Sequence, residues 1–130
     1  MGRAGNLSNM SRGVHRKRDI PVRLIATALI QRDEHLLLTQ LASGRFAGFW
    51  LLPSATVDEE PIETTIRGMV LERTGHMAVS LRLVSVQEEV KTDVRPLRFI
   101  FETVVAAQEQ GIHDPEIAQA RWFSREAVCE

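Results

Sequence analysis

Hydrophobic alternation begins at Val22. Leu24, Ala26, Ala28 and Ile30 alternate with Arg23, Ile25, Thr27, Leu29 and Gln31, and both sets are largely apolar. A strand apolar on both faces belongs in the interior of a sheet. Arg32, Asp33 and Glu34 read as a turn and His35–Gln40 as a second strand, so the two predict a hairpin. Ala42–Gly48, containing Gly44, predicts a flexible loop, and Phe49–Leu52 returns to extended apolar structure that ends at Pro53. The period then changes. Ile62, Thr65, Ile66, Met69 and Val70 recur at spacings of three and four, the stripe of a helix over 61–74. Pro61 suits its first turn, Asp58, Glu59 and Glu60 favour the positive end of its dipole, and Gly75 is a stop. Gly68 weakens it by about 1 kcal/mol against alanine. Leu81–Val90 and Leu97–Ala106 read as further strands and Gln119–Phe123 as a short one, with Ser124 an N-cap for a closing helix. The pattern is of the α/β (α+β) class: a mixed, curved sheet flanked by helices.

At 130 residues there is room for one hydrophobic core, and 44% apolar with 25% charged residues is ordinary for a globular domain. Charge is uneven. Arg3, Arg12, Arg16, Lys17 and Arg18 against Asp19 give residues 1–19 a net +4 within a total of -1, so residues 20–130 carry -5. Residues 1–19 lack hydrophobic periodicity and read as a disordered basic tail, with an electrostatic arm for phosphates as the alternative; residues 20–130 read as the domain. No apolar run approaches the roughly 18 residues of a membrane span, and the basic N-terminus has no apolar stretch behind it to make a signal peptide. The only cysteine, Cys129, leaves no internal disulfide and fits a reducing cytoplasm.

Strand, hairpin, Gly-containing loop, Trp50, Leu52-Pro53, an acidic loop and a helix ending in Thr74-Gly75 together resemble the Nudix (MutT-like) family. Its box runs Gly, five residues, Glu, seven residues, Arg-Glu-hydrophobic-x-Glu-Glu-x-Gly-hydrophobic. Anchored on Thr74-Gly75, Gly68 falls on the box Arg, Met69 on the first Glu, Val70 on the hydrophobic position, Glu72 on the second Glu and Arg73 on the third. Glu60 matches the upstream Glu, and His76 fills the last hydrophobic position. Trp50 to Pro53 resembles the Trp-x-x-Pro lead-in, but Ser54 and Ala55 stand where two glycines are expected, and anchoring on Pro53 leaves the loop to Glu60 one residue short. The resemblance spans about residues 22–128 and implies a Nudix-type fold, a curved mixed sheet sandwiched between helices.

The resemblance further implies hydrolysis of nucleoside diphosphate derivatives with Mg²⁺ or Mn²⁺. Such ions take carboxylate oxygens, which converge when placed at i, i+3 and i+4 of a helix. Here that triplet is Met69, Glu72 and Arg73. A thioether has little affinity for Mg²⁺, and a guanidinium repels it. Metal-dependent activity is therefore expected to be weak or lost, with Glu72 the remaining catalytic candidate and Glu72 and Glu60 the remaining metal candidates. Glu59, Glu63, Glu88, Glu89 and Glu102 could replace the missing ligands or be solvated charges. Met69 reads most simply as core packing. Arg73 could bind a phosphate or pair with a nearby carboxylate. Arg45 and Phe46, in the glycine-flanked loop, are candidates for substrate contact, whereas Phe49 and Trp50 read as core. Three functions stay in view: a hydrolase with weakened metal binding, a non-catalytic module for a nucleotide, effector or protein partner, and, disfavoured, a nucleic-acid binder using the tail. A nucleotide-like small molecule is the expected ligand, without membrane association; a homodimer is compatible with the sequence, which does not set the oligomeric state.

Overall fold

The two apolar faces of Val22–Arg32 (β1) are met from both sides. In the computed structural model, which describes residues 20–89 and 91–129, β1 pairs in parallel with Arg95–Glu109 (β6), from Val22 opposite Arg95 to Ile30 opposite Thr103. Its other edge pairs antiparallel with Ser54–Thr56 (β4), Thr27 facing Ser54, and at its end with His35–Leu41 (β2). The β1–β2 hairpin turns on Asp33 and Glu34, both in the left-handed region at φ 50° and 62°, as a two-residue primed turn requires. β2 then carries Trp50–Leu51 (β3) on one edge and Ile117–Ser124 (β7) on the other. His76–Glu88 (β5) closes the far side against β6 and has no strand on its outer edge among the described residues. The path is β3-β2-β1-β6-β5, with β4 on β1 and β7 on β2, a mixed sheet of seven strands.

One long helix, Ile62–Thr74 (α1), lies on this sheet. Pro61 sits at its N-cap with φ -57°, and its carbonyl accepts the first turn from Thr65 N at 3.0 Å. Gly75 ends it in the left-handed conformation, φ 78°, donating its N–H to Leu71 O at 2.9 Å. The expected stripe is the buried one: Ile66, Met69 and Val70 face Ala26, Ala28 and Ile30 of β1, with Leu37, Phe101 and Val105 completing the core. Ala26 and Ala28 are both fully buried beneath the helix. Each fully buried Ile or Val is worth about 1.5–3 kcal/mol relative to exposure. A short helix, Arg125–Cys129 (α2), packs on β7 and β2, with Ser124 Oγ accepting from Ala127 N as an N-cap should.

The segment after β6 docks on the end of α1 through its backbone. Gln110 N donates to Gly75 O at 2.6 Å, and His113 N and Asp114 N donate to Glu72 O at 2.8 and 3.1 Å. Gly75 and Gly111 lie back to back, so that a Cβ on Gly75 would meet Gly111 N at 2.7 Å. No helix among the described residues is long and apolar enough to cross a membrane. The basic segment 1–19 lies outside the described residues.

Two sequence expectations are corrected. Phe49 is not in the core: it is 56% exposed and packs edge-to-face on Phe46, 49% exposed, at 5.5 Å. Gly48, at φ 88°, turns the chain before β3, leaving only Trp50 and Leu51 as strand. Leu41 ties this loop closed, its carbonyl accepting Gly48 N at 2.8 Å and its N–H donating to Phe49 O at 3.1 Å. The second concerns Ser54 and Ala55, expected in a loop, which form β4 and pair with Thr27 and Ala26.

Candidate functional site

α1 presents its last turn to β4, and there Arg73 is held from two sides. Its Nε donates to Asp114 Oδ2 at 2.9 Å, and its Nη1 donates to the Ser54 carbonyl. Asp114 is itself fixed: Oδ1 accepts Glu116 N at 2.9 Å and its carbonyl accepts Ile117 N at 3.1 Å. The pairing with a loop carboxylate, one of the two sequence readings of Arg73, is present. The pairing does not bury Arg73, which lines a cavity of about 570 Å³ beside Thr27, Thr39, Ser54, Gln87 and Arg98. Leu41, Leu51, Leu52 and Ile100 supply the apolar wall, and no carboxylate among the described residues lines the cavity.

Arg98 enters from β6, next to Thr27 and Gln87 on the flanking strands. Its Nη1 donates to Thr27 Oγ1 at 2.7 Å and Ser54 Oγ at 3.3 Å, and those two hydroxyls are 2.8 Å apart. None of the ion pairs among the described residues includes Arg98. Sequence reasoning passes over it, although one signal exists: Arg98 is the single charge within Leu97–Phe101, in a strand flanked on both sides by others. Thr27 and Asp114 also escape notice, and Ser54 is marked only as a departure from the motif's glycines, since nothing local marks a residue whose partner is 41 positions away, as Asp114 is from Arg73.

The other candidates lie elsewhere. Glu72 is exposed, contributes its carbonyl to the docking of residues 113–114, and does not line the cavity. Glu60 borders a separate depression with Asp58, Glu59 and Thr65 before the helix. Ile62 and Glu72 are ten helical steps apart, about 15 Å at the α-helical rise, so Glu60 and Glu72 lie at opposite ends of α1. Arg45 stacks over Phe46 at 5.5 Å in the exposed loop, and neither lines the cavity. Met69 is 5% exposed within the core. Glu88, Glu89 and Glu102 pair with Arg95, Lys91 and Arg82. Trp50 is half-buried, edge-on to Phe123 at 4.9 Å.

No protein-family model matches the sequence, and no curated protein matches it either. Solved structures do. A NUDIX hydrolase from Nitrosomonas europaea superposes with a TM-score of 0.73 at 24% identity, covering 84% of this chain and 76% of that one. A MutT NUDIX hydrolase from Burkholderia pseudomallei gives 0.68 at 23%, covering 79% and 83%. The chain has the Nudix fold. The NUDIX domain of Shewanella oneidensis NrtR, solved with ADP ribose, gives 0.68 at 17%, covering 86% and 77%.

Within the Nudix fold residues 68–74, the part of the sequence set against the box's carboxylate cluster, lie on α1, and their donor set does not fit a divalent ion. Met69 is packed into the core, Arg73 is cationic, and among the described residues no group of three or more His, Cys, Asp or Glu side chains comes together to hold a metal. The cleft is furnished instead with guanidinium and hydroxyl donors, which bind anions.

Proposed function

We propose that this chain is a Nudix-fold module that binds a nucleoside diphosphate derivative in the cleft between α1, β4 and β6, with metal-dependent pyrophosphohydrolysis weak or lost. One observation carries the reading: Arg73, at a position the box gives to a carboxylate, is fastened to Asp114 and to the Ser54 carbonyl while lining the cleft. A unit positive charge repels another by about 4 kcal/mol at roughly 4 Å and an effective dielectric of about 20, and more for a divalent ion. Asp114 offsets part of that, but its carboxylate is occupied by Arg73, and Glu72 alone does not supply the rest. The nucleotide class is supported by the ADP ribose bound to the similar NUDIX domain of NrtR and by a cleft of ordinary ligand size with an apolar wall beside charged donors.

The test is a nucleotide panel that includes ADP-ribose, scored for product release with Mg²⁺ and with Mn²⁺ and, in parallel, for thermal stabilisation. Stabilisation without turnover is the expected result. Turnover at the rates of ordinary enzymes, about 1 per second or more, abolished by Glu72→Gln, would overturn it.

A further inference from the structure

We infer that the cleft is a metal-independent anion site in which Arg98 and Arg73 together take the phosphate or diphosphate group of an organic phosphate. The inference deepens the reading above and rests on it for the organic part of the ligand. Arg98 is half-buried, and its partners are the neutral hydroxyls of Thr27 and Ser54. Hydroxyls satisfy donors but do not compensate a charge withdrawn from water. Arg73 is already balanced by Asp114, so among the described residues the cleft wall carries one uncompensated positive charge, at Arg98. An anion would restore the balance.

The geometry suits a multidentate anion. Both guanidiniums grip Ser54, Arg73 at its carbonyl and Arg98 at its hydroxyl, so they stand on one wall of the cavity. Each guanidinium carries five N–H donors in a planar fork. Among the described residues, Nη2 of both arginines and Nε of Arg98 have no hydrogen-bond partner. Phosphate oxygens match such forks, and a diphosphate can be shared between two of them. Ile100, Leu51 and Leu52 leave an apolar surface for an uncharged moiety attached to it. In a hydrolase of this fold a divalent ion would mediate this contact; here the protein's own cations take its place.

The experiment is titration calorimetry of the full chain in EDTA, with inorganic pyrophosphate and with ADP-ribose as probes. Both are expected to bind, and Mg²⁺ in excess of chelator is expected not to tighten either. Arg98→Gln should weaken both by about tenfold or more, the worth of a charged hydrogen bond, and Arg98→Lys should recover part of the loss. Gln87→Glu is the second variant, because it sets a carboxylate beside Arg98 on the neighbouring strand with no change of shape. It should weaken both probes even if Arg98→Gln does not fold. ADP-ribose binding only with Mg²⁺ would overturn the inference and leave the nucleotide reading standing. Pyrophosphate binding in EDTA without ADP-ribose binding would uphold the anion site and overturn the nucleotide reading. Binding of neither probe under any condition, or binding indifferent to both variants, would overturn the assignment to this cleft.

Discussion

Arg73 and Asp114 join the last turn of α1 to the segment before β7 by an Nε–Oδ2 hydrogen bond of 2.9 Å. Their side chains are 26% and 16% exposed, between a surface pair and a buried one. A double-mutant cycle with Arg73→Met and Asp114→Asn should therefore show a coupling of about 1–2 kcal/mol in urea unfolding. Strictly additive losses would mean that the two side chains do not interact in solution.

The two glycines of the box region should respond in opposite directions. Gly68 is helical, and the space a β-carbon would take there is open to 4 Å, so Gly68→Ala should stabilise by about 0.5–1 kcal/mol. Gly75 combines φ 78° with a clash against Gly111, and Gly75→Ala should destabilise by about 2 kcal/mol or more. Thermal unfolding of both variants decides the matter; equal effects would contradict the contact between the two glycines.

Placing carboxylates on the helix should expose a conflict between metal and fold. Met69→Glu would place a charge at a 5% exposed core position, and we expect a loss of about 3 kcal/mol or more. Arg73→Glu leaves the core intact and sets its new charge near Asp114 and Glu72, so it should bind Mn²⁺ more tightly than the parent at a smaller loss of stability. Calorimetry with Mn²⁺ and a urea curve on each variant check this. A folded Arg73→Glu protein with no gain in metal affinity would show that the box register anchored on Thr74-Gly75 is wrong.

Phe46 and Phe49 pack on each other in the exposed loop. Neither Phe46→Ala nor Phe49→Ala should change stability by more than about 1 kcal/mol, where a core phenylalanine would cost about 3–5. A melting-temperature drop of core size in Phe49→Ala would restore the core assignment.

Periodicity makes α1 legible, because Ile62, Ile66, Met69 and Val70 repeat with the helix and Gly75 ends it where a left-handed residue is needed. It also marks β1 as an interior strand. β3 and β4, of two and three residues, are too short to carry a period, and Pro53 between them looks like an end rather than a link. Phe49 defeats the sequence reading because aromatic character does not say which way a chain turns after Gly48. The cleft is legible in part. Arg73 can be singled out from its place in the motif, whereas Arg98 meets Thr27 across 71 positions and Ser54 across 44, contacts that exist only once β1, β4 and β6 lie side by side.

The docking of residues 110–114 onto the end of α1 runs through main-chain atoms: Gln110 N to Gly75 O, and His113 N and Asp114 N to Glu72 O. These bonds are blind to what the side chains at 68 and 72 are. The outward surface of this helix can therefore change, residue by residue, with the same topology intact, provided glycine is kept where the two backbones touch.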